Sequence, residues 1–417
     1  MTTTKNNEHK KLNAPNLRFP EFEGEWEKCK LGDYGKVVTG NTPPTKDIEN
    51  YENGTYLWAS PADLGTIKSI TETKTMLSAQ GFSKTRILPK GSVLVTCIGS
   101  TIGKAGMATK EMSTNQQINS IVVNDNNDNE FVYYAIQSAF PRYLSSIAVQ
   151  AVPIISKSAF ELLPNNRPYL QEQKKIGKFL SLLDERIATQ SKIIEDLKKL
   201  KSAIIEKVFC SPNQEHPKCR IEGFEQALST YKMSDFSSRI ATKNKDSKCS
   251  LVLTIAAQYG LVNQESFFNK SVASENLSGY YLLHKGEFAY NRSYSAGYDW
   301  GAVKRLDNYD EGVLSTLYIC FKINETIVDS DYLAYYFEST KWHRGLSDIA
   351  GEGARNHGLL NVSITDYFNT KHRFPVIEEQ KAIAKMLNTI TEKERKVTLL
   401  GECYQKQKQY LLRQMFI

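Results

Sequence analysis

The sequence predicts an α+β chain: two similar mixed α/β globular domains, each followed by a long helix. The opening Pro-x-x-x-Glu-Gln-Lys occurs twice, in PYLQEQKKIGKFLSLLDERI near the middle and in PVIEEQKAIAKMLNTITEKE near the end. Both copies continue with apolar residues at heptad spacing, and the segments before them are also similar. We expect the two helices to pack as an antiparallel coiled coil with pseudo-two-fold symmetry.

Length and composition indicate folded domains. The chain has 417 residues, of which 41% are hydrophobic and 24% charged, so two globular units are expected rather than disorder. Residues 1–14 are polar and are predicted to be a flexible tail without a secretion signal. No run of about 18 apolar residues occurs, so we expect no membrane span and a cytoplasmic location.

Charge and cysteine usage narrow the class of protein. The seven cysteines stand singly, which is typical of reduced thiols rather than of disulfides or a zinc site. His216 and Cys219 lie close together but lack a second ligand pair, so a plain loop explains them better than a metal site does. The net charge of +7 favours a polyanionic partner without identifying one.

The repeat extends through both predicted helices. Aligning Gln173 with Gln380 also pairs Pro168 with Pro375 and, without a gap, Phe209 with Phe416. Apolar seam positions, predicted to form the coiled-coil and partner interface, are Ile176, Leu180, Leu183, Ile187, Ile194 and Leu197 in the first copy and Ile383, Leu387, Ile390, Val397, Tyr404 and Leu411 in the second.

Polar residues interrupt both seams, at Gln190 and Lys201 in the first and at Glu394, Gly401 and Lys408 in the second. Polar core positions select register and partner at a cost in stability, so we expect the two helices to pack on each other. The first helix would be roughly 58 Å long at about 1.5 Å per residue, and would hold the domains a fixed distance apart. The alternative is two amphipathic helices that pack on separate cores.

The segments before the helices repeat more faintly. PNLRFPEFEGEWEKCKLGDY matches PKCRIEGFEQALSTYKMSDF, which pairs Arg18 with Arg220. The predicted organisation is a tail over 1–14, a first domain over 15–167, a first helix over 168–212, a second domain over 213–374 and a second helix over 375–417.

Motifs for catalysis are absent from the sequence. It has no GxxxxGK[ST] phosphate loop, no HExxH, no paired CxxC and no GxGxxG after a strand. The six histidines show no helical pairing. We therefore expect no catalytic residue and no metal site, although a stand-alone enzyme with an unrecognised site remains an alternative.

Glycine-rich loops with donors favour binding instead. In the first domain, CIGSTIGKAG carries Ser100, Thr101 and Lys104, which suit phosphate oxygens or base edges; a plain glycine-rich hairpin is the alternative. The amides of Asn115, Gln116 and Gln117 suit adenine. In the second domain the candidates lie in NRSYSAGYDWG and GEGARNHG and are Arg292, Ser293, Tyr294, Tyr298, Arg355, Asn356 and His357.

These features together resemble one protein family. The repeated unit and helix, the LRFPEF-x-x-x-W opening, the TGNTPPT and YLWASPADL runs and the KGSVLVTCIGSTIGK loop are similar to the specificity subunit of Type I restriction-modification systems. The resemblance covers the chain from about Pro15. It implies two target recognition domains that each read half of a split, asymmetric double-stranded DNA sequence.

The resemblance also implies roles for residues and partners. It places Thr42, Thr45, Trp58, Ser60 and Asp63, with the Ser100–Lys104 loop, in groove-facing loops of the first domain. It implies that the chain is non-catalytic and binds two methyltransferase subunits through its helices, together with restriction/translocase subunits. S-adenosylmethionine, ATP and Mg are then expected in those partners and no cofactor in this chain. A coiled-coil adaptor without sequence-specific DNA binding remains an alternative.

Overall fold

The chain divides into two units, each of which contains part of both long helices. The computed structural model describes residues 13–65, 67–146, 154–245, 248–270, 276–293, 297–349, 355–356 and 359–417. The first unit extends to Lys192 and takes in Thr398–Ile417, and the second comprises Ile193–Val397. Each unit therefore contains the beginning of one long helix and the end of the other.

The first unit combines short strands with helices. Its strands are β1 (Glu27–Lys30), β2 (Gly35–Thr39), β3 (Tyr56–Ala59), β4 (Ser69–Ile70), β5 (Thr75–Leu77), β6 (Val93–Thr96), β7 (Ala105–Ala108), β8 (Ser113–Thr114), β9 (Ile118–Val123) and β10 (Pro164–Arg167). Its helices are α1 (Ala79–Ser83), α2 (Asn129–Ser146), α3 (Lys157–Glu161) and the long α4 (Leu170–Val208), which lies in the second unit from Ile193 onward.

The sheets of the first unit are mixed. A five-stranded sheet has the order β2-β9-β6-β7-β4, a three-stranded sheet the order β5-β3-β8, and β1 pairs with β10. The β6 segment Val93–Thr96 is fully buried, as expected for a central strand of apolar, β-branched residues. The antiparallel β1–β10 pair sets Lys30 opposite Pro164 and leads the chain directly into α4.

The second unit repeats this plan. Its strands are β11 (Ser229–Lys232), β12 (Ser237–Arg239), β13 (Leu253–Ala256), β14 (Gly260–Asn263), β15 (Tyr281–His284), β16 (Phe288–Asn291), β17 (Ala302–Arg305), β18 (Glu311–Leu314), β19 (Ile319–Ile323), β20 (Arg355–Asn356), β21 (Leu359–Leu360) and β22 (Lys371–Phe374). Its helices are α5 (Met233–Phe236), α6 (Gln264–Phe268), α7 (Ser330–Tyr336), α8 (His343–Ser347), α9 (Ile364–Asn369) and the long α10 (Ile377–Gln414).

The main sheet of the second unit differs in detail from that of the first. Four strands have the order β12-β19-β16-β17, and the pairs β13-β14, β15-β18 and β20-β21 form separate ribbons. The antiparallel β11–β22 pair leads into α10 as β1–β10 leads into α4. The strand pair that leads into each long helix is thus repeated, whereas the arrangement of the strands farther from the helices is not.

The glutamate of each Pro-x-x-x-Glu-Gln motif forms a buried ion pair. Arg18 donates from Nε and Nη2 to Glu172 at 2.8 and 2.7 Å, and Arg220 donates in the same way to Glu379 at 2.9 and 2.7 Å. Each glutamate is 1% exposed. The hydrogen bond with Glu379 raises the pKa of the Arg220 guanidinium. These bidentate pairs connect the segment that precedes β1 to the start of α4, and the segment that precedes β11 to the start of α10.

The glutamine of the motif joins the long helix to a shorter one. Gln173 Nε2 donates to the Pro168 carbonyl at 2.9 Å, and its Oε1 accepts from the Asp128 N–H at 3.1 Å. Gln380 makes the same bonds with Pro375 and Asp329, both at 2.9 Å. Asp128 caps α2, and Asp329 caps α7, through the N–H three residues on. The motif is therefore a structural joint, used twice.

The cores confirm that the long helices run antiparallel. In the first unit Ile176 and Leu180 of α4 share a cluster with Leu411 and the C-terminal residues Met415 and Phe416. In the second unit the late α4 residues share a cluster with the early α10 residues; these are Ile205, Val208, Ile383, Ala384 and Leu387. The start of each helix thus meets the end of the other.

The predicted seam is largely buried. Buried members are Ile176, Leu180, Leu183, Leu197, Ile383, Leu387 and Leu411, and half-buried members are Ile187, Ile194, Ile390, Val397 and Tyr404. Continued beyond Leu197 and Lys201, the same heptad spacing predicts Ile204 as the next seam position, but the structure buries Ile205 to 3% and leaves Ile204 half-buried. The buried face of α4 shifts there because this end of the helix packs on the core of the second unit as well as on α10.

Changing one buried carboxylate tests the joint. Glu379→Gln removes the charge that pairs with Arg220, so we expect the free energy of unfolding to fall by about 2–3 kcal/mol. Its neighbour Glu378 is exposed, and Glu378→Gln is the matched control, with an expected change of within about 0.5 kcal/mol. Denaturant unfolding followed by fluorescence measures both; equal effects of the two substitutions would contradict the assignment.

Candidate nucleic-acid interface

The loop after β2 is held against the strands β8 and β9 of the first unit. The Gly40 N–H donates to the Ile118 carbonyl at 3.1 Å, and the Asn41 N–H donates to the Thr114 carbonyl at 2.9 Å. A Cβ on Gly40 would lie 2.2 Å from the Asn115 carbonyl oxygen, so only glycine allows this approach. The loop carries the predicted contact residues Thr42 and Thr45.

Trp58 and Gln116 fasten this loop from two sides. The Trp58 indole, 9% exposed, donates from Nε1 to the Asn41 carbonyl at 3.1 Å. The Thr42 hydroxyl donates to Gln116 Oε1 at 2.5 Å. Thr42 is half-buried and Gln116 is exposed. The structure thus brings together predicted residues from three separate sequence runs, and Trp58 positions the loop.

Asn115 and Gln117 bond to each other. Asn115 Nδ2 donates to Gln117 Oε1 at 3.0 Å, and the Gln117 N–H donates to Asn115 Oδ1 at 3.0 Å. Asn115 is only 8% exposed. Its amide therefore shapes the turn that presents Gln116.

Ser60 and Asp63 form a second closed turn. Asp63 Oδ2 accepts from the Ser60 N–H at 2.8 Å and from its hydroxyl at 2.7 Å, while Oδ1 accepts from the Lys74 N–H at 2.9 Å. Both carboxylate oxygens are engaged. Asp63 accordingly orders the segment that follows β3, and Ser60 and Asp63 are both half-buried.

The Ser100–Lys104 turn joins β6 to β7 beside that segment. Gly99 and Gly103 have φ of +94° and +89°, the left-handed region that favours glycine. A Cβ on Gly65 would lie 2.8 Å from Cγ and Cδ of Lys104, so the lysine stem passes over Gly65. Ser100 and Lys104 are exposed, and Thr101 is half-buried.

Two basic residues that the sequence analysis missed lie beside the β2 loop. The Arg86 N–H donates to Asn41 Oδ1 at 2.9 Å, and its Nη1 donates to the Thr39 carbonyl at 2.6 Å. Asn41 Nδ2 donates to the Lys84 carbonyl at 2.9 Å. Both cations are exposed next to the Thr42–Gln116 pair. The only signal was the SKTR run, too far along the chain to be connected with the loop.

In the second unit the structure brings Arg292 beside the β20–β21 hairpin. The Leu360 N–H donates to the Arg292 carbonyl at 2.9 Å, and Arg355 is the register partner of Leu360. The Arg292 guanidinium donates to the backbone carbonyls of Leu317 and Val362, at 3.1 to 3.2 Å. It therefore clamps two loops together.

The remaining predicted residues of this unit are only partly described. The Ser293 N–H donates to Asn291 Oδ1 at 3.0 Å, and the Tyr298 hydroxyl donates to the Ala257 carbonyl at 3.3 Å. Arg355 and Asn356 lie in β20, while Tyr294 and His357 lie outside the described residues.

A group of exposed aromatic rings lies next to Tyr298. Tyr259, Phe267 and Phe268 are 69%, 47% and 46% exposed. Ring centroids are 6.5 Å apart for Tyr259 and Phe267, and 5.0 Å for Phe267 and Phe268. The group stands on the β13–β14 turn and α6, and Tyr298 bonds to the same turn. The sequence did not indicate this group, because consecutive aromatic residues after a strand are also typical of a buried core.

Within the described ranges, no three His, Cys, Asp or Glu side chains gather into a group that could hold a metal ion. Among the same residues, no helix combines the length and the apolar character needed to cross a bilayer.

Comparisons with known proteins agree with this architecture. Residues 23–199 match the family described as Type I restriction modification DNA specificity domain. The chain is 31% identical over 182 residues to the Type I restriction enzyme MjaIX specificity subunit of Methanocaldococcus jannaschii, which covers 42% of each chain. It is 34% identical over 126 residues to the HindI specificity subunit of Haemophilus influenzae, covering 30% of this chain and 27% of that one.

The matched segments thus span less than half the length of these curated relatives. A crystal structure of the Type I restriction-modification S subunit from M. genitalium has the same fold over 97% of this chain and 99% of that one, with a TM-score of 0.59 and 17% identity. The matched domain over residues 23–199 and the shared fold confirm the resemblance found in the sequence: the chain is similar to the specificity subunits of Type I restriction-modification systems.

Proposed function

We propose that the chain is the non-catalytic subunit that recognises a bipartite, asymmetric double-stranded DNA sequence and directs N6-adenine methylation and restriction by partner subunits. One observation carries this function: the arginine–glutamate and glutamine contacts at the start of each long helix occur in both units, whereas the exposed loops of the two units differ. Because the structure around the two long helices is repeated, it suits the binding of two copies of one partner. Because the exposed loops of the two units differ, they suit two different half-sites in the DNA.

The exposed edge of the first unit has the chemistry of DNA recognition. The hydroxyl and amide of Thr42 and Gln116 can exchange hydrogen bonds with base edges, and Lys84, Arg86 and Lys104 can pair with phosphates. The engaged groups of Trp58, Asp63 and Asn115 hold the loops in place. Fixed loops reduce the conformational entropy that is lost on binding.

The second unit would read its half-site with different groups. Arg292 clamps loops next to the β20–β21 hairpin. The sequence places Arg355 and Asn356 in that hairpin, and these residue types suit guanine and adenine edges. The exposed rings of Tyr259, Phe267 and Phe268 can make apolar contact with thymine methyl groups.

Catalysis then belongs to the partners. Two methyltransferase subunits would bind along the repeated helices, with S-adenosylmethionine as methyl donor, and restriction/translocase subunits would use ATP and Mg. This chain would bind none of these cofactors and would act in the cytoplasm. Methylation or cleavage of DNA by the purified chain alone would contradict this division of roles.

Replacing one unit tests modular reading. Residues 213–374 are exchanged for the corresponding unit of another family member, and duplexes bound by the assembled complex are selected from a random library. We expect one half of the selected sequence to change and the other to stay the same, because each unit contains its own recognition loops. Changes in both halves would contradict independent reading.

Lys104 and Lys110 provide a matched pair, since both are exposed and they flank opposite ends of β7. We expect Lys104→Ala to weaken DNA binding severalfold and to lower the slope of log affinity against log salt by about 1, because one phosphate contact is lost. Lys110→Ala should leave both unchanged. Titrations of the assembled complex at several salt concentrations measure this; identical slopes for the two variants would exclude the Lys104 contact.

A further inference from the structure

Two lysines occupy aligned positions in the predicted seam. Lys201 lies near the end of α4 and Lys408 near the end of α10, and the repeat that aligns Gln173 with Gln380 also aligns these two. Their side chains are 20% and 18% exposed. An apolar residue would bury its side chain here without a need for a charged partner, so each lysine requires an explanation.

Lys408 docks on a tyrosine and a carboxylate of the first unit. Its Nζ lies 2.6 Å from Asp184 Oδ1 on α4 and 5.4 Å from the centroid of the Tyr134 ring on α2. The Tyr134 hydroxyl donates to Asp184 Oδ2 at 2.6 Å. Burial raises the pKa of that hydroxyl, which keeps it a donor. Three elements therefore meet at one ammonium group.

A second cation completes this cluster. Lys68 Nζ lies 2.7 Å from Glu130 Oε2, donates to the Ser181 hydroxyl at 2.8 Å and stands 5.5 Å from the same Tyr134 ring. Tyr134 is 0% exposed. Two ammonium groups thus lie within 5.5 Å of the centroid of this buried ring.

Lys201 docks in the same manner in the second unit. Its Nζ lies 5.8 Å from the centroid of the Tyr335 ring and 3.7 Å from Glu338 Oε2. The Tyr335 hydroxyl donates to Asn388 Oδ1 at 2.8 Å, and Asn388 Nδ2 donates to Asp331 Oδ2 at 2.7 Å. Arg305 pairs with Asp331 at 2.7 Å, as Lys68 pairs with Glu130 in the first unit.

The two sites keep the lysine and the tyrosine but change the carboxylate. Thr391 takes the place that Asp184 has in the first copy, and its hydroxyl lies 3.0 Å from the Tyr335 hydroxyl. The carboxylate is supplied instead by Glu338, just after α7. Both copies keep the lysine near the aligned tyrosine and a cation paired with Glu130 or Asp331. The contact of the lysine with the tyrosine is the one that the seam position itself makes in both.

A half-buried ammonium discriminates between registers. Sliding a helix by one heptad moves Nζ by about 10 Å, away from its tyrosine and carboxylate, and leaves the charge unpaired. A methionine at the same position would pack in either register, because apolar contacts are not directional.

We infer that Lys201 and Lys408 are positioning residues: each fixes the register of one long helix on the other's recognition unit, and together they fix the number of unread base pairs between the half-sites. This rests on the proposed function, that the chain reads a split target.

The test uses the full chain assembled with its partner subunits and a duplex library in which the two half-sites are separated by the native spacer or by one or two base pairs more or fewer. For Lys201→Met with Lys408→Met we expect a folded complex, unchanged half-sites and at least a tenfold loss of discrimination between the native spacer and its neighbours. The control is Lys199→Met with Lys406→Met, which the repeat also aligns and which are both exposed; it should retain the discrimination.

A folded double variant with wild-type discrimination overturns the inference and leaves the proposed function intact. If the methionine variant does not fold, the exchange Asp184→Lys with Lys408→Asp replaces it. The double exchange should restore the spacer discrimination that Asp184→Lys or Lys408→Asp alone lowers. A folded double variant without restored discrimination overturns the inference. A wild-type complex that selects no split target overturns the proposed function itself.

Discussion

The buried carboxylate at the start of each long helix is the interaction on which the rest of the structure depends. Glu172 and Glu379 each accept two hydrogen bonds from an arginine that precedes strand β1 or β11 in sequence. Because a buried, unpaired carboxylate is very unfavourable, the arginine segment, the helix and the unit between them must come together as one structure. The neighbouring glutamine adds the short helix α2 or α7 to the same joint.

The need to pair these buried charges restricts substitutions at the start of each long helix, whereas substitutions in the exposed loops are not restricted in this way. The structure at the start of each long helix is fixed by buried polar groups with directional partners. Its arginine–glutamate and glutamine contacts are the same in both units, although other contacts differ. Trp26, for example, donates to Glu172, whereas the aligned residue of the second unit is the buried Leu228. The exposed loops carry no such requirement. Sequence-specific recognition can therefore change on these loops while the binding surface for a shared partner remains.

Periodicity predicted the elements that obey local rules. The heptad seams and the gap-free repeat gave both long helices and their pairing, because helix periodicity is visible over about forty residues. The role of the Glu-Gln pair was not predictable, since its partners Arg18 and Asp128 are distant in sequence. The turn of the seam from Ile204 to Ile205 depends on a core that the heptad rule does not include.

The candidate DNA-binding residues could likewise be predicted only in part from the sequence. Sequence runs rich in glycine, hydroxyls and amides pointed to residues that the structure brings together at one edge of the first unit, where Thr42 and Gln116 meet. The same runs could not separate exposed groups from those engaged inside the fold, as Asn115 and Arg292 are. Lys84 and Arg86 became candidates only through their contacts with Asn41.

The central claim is that two units with different recognition loops are held by the same repeated structure around the long helices. Its most direct test is a genome-wide map of N6-methyladenine in cells with and without this chain. The account predicts that one split motif, with two different halves and a constant unread gap, loses its methylation when the chain is absent. Loss of methylation at a continuous motif, at a motif with two identical halves, or at no motif would contradict it.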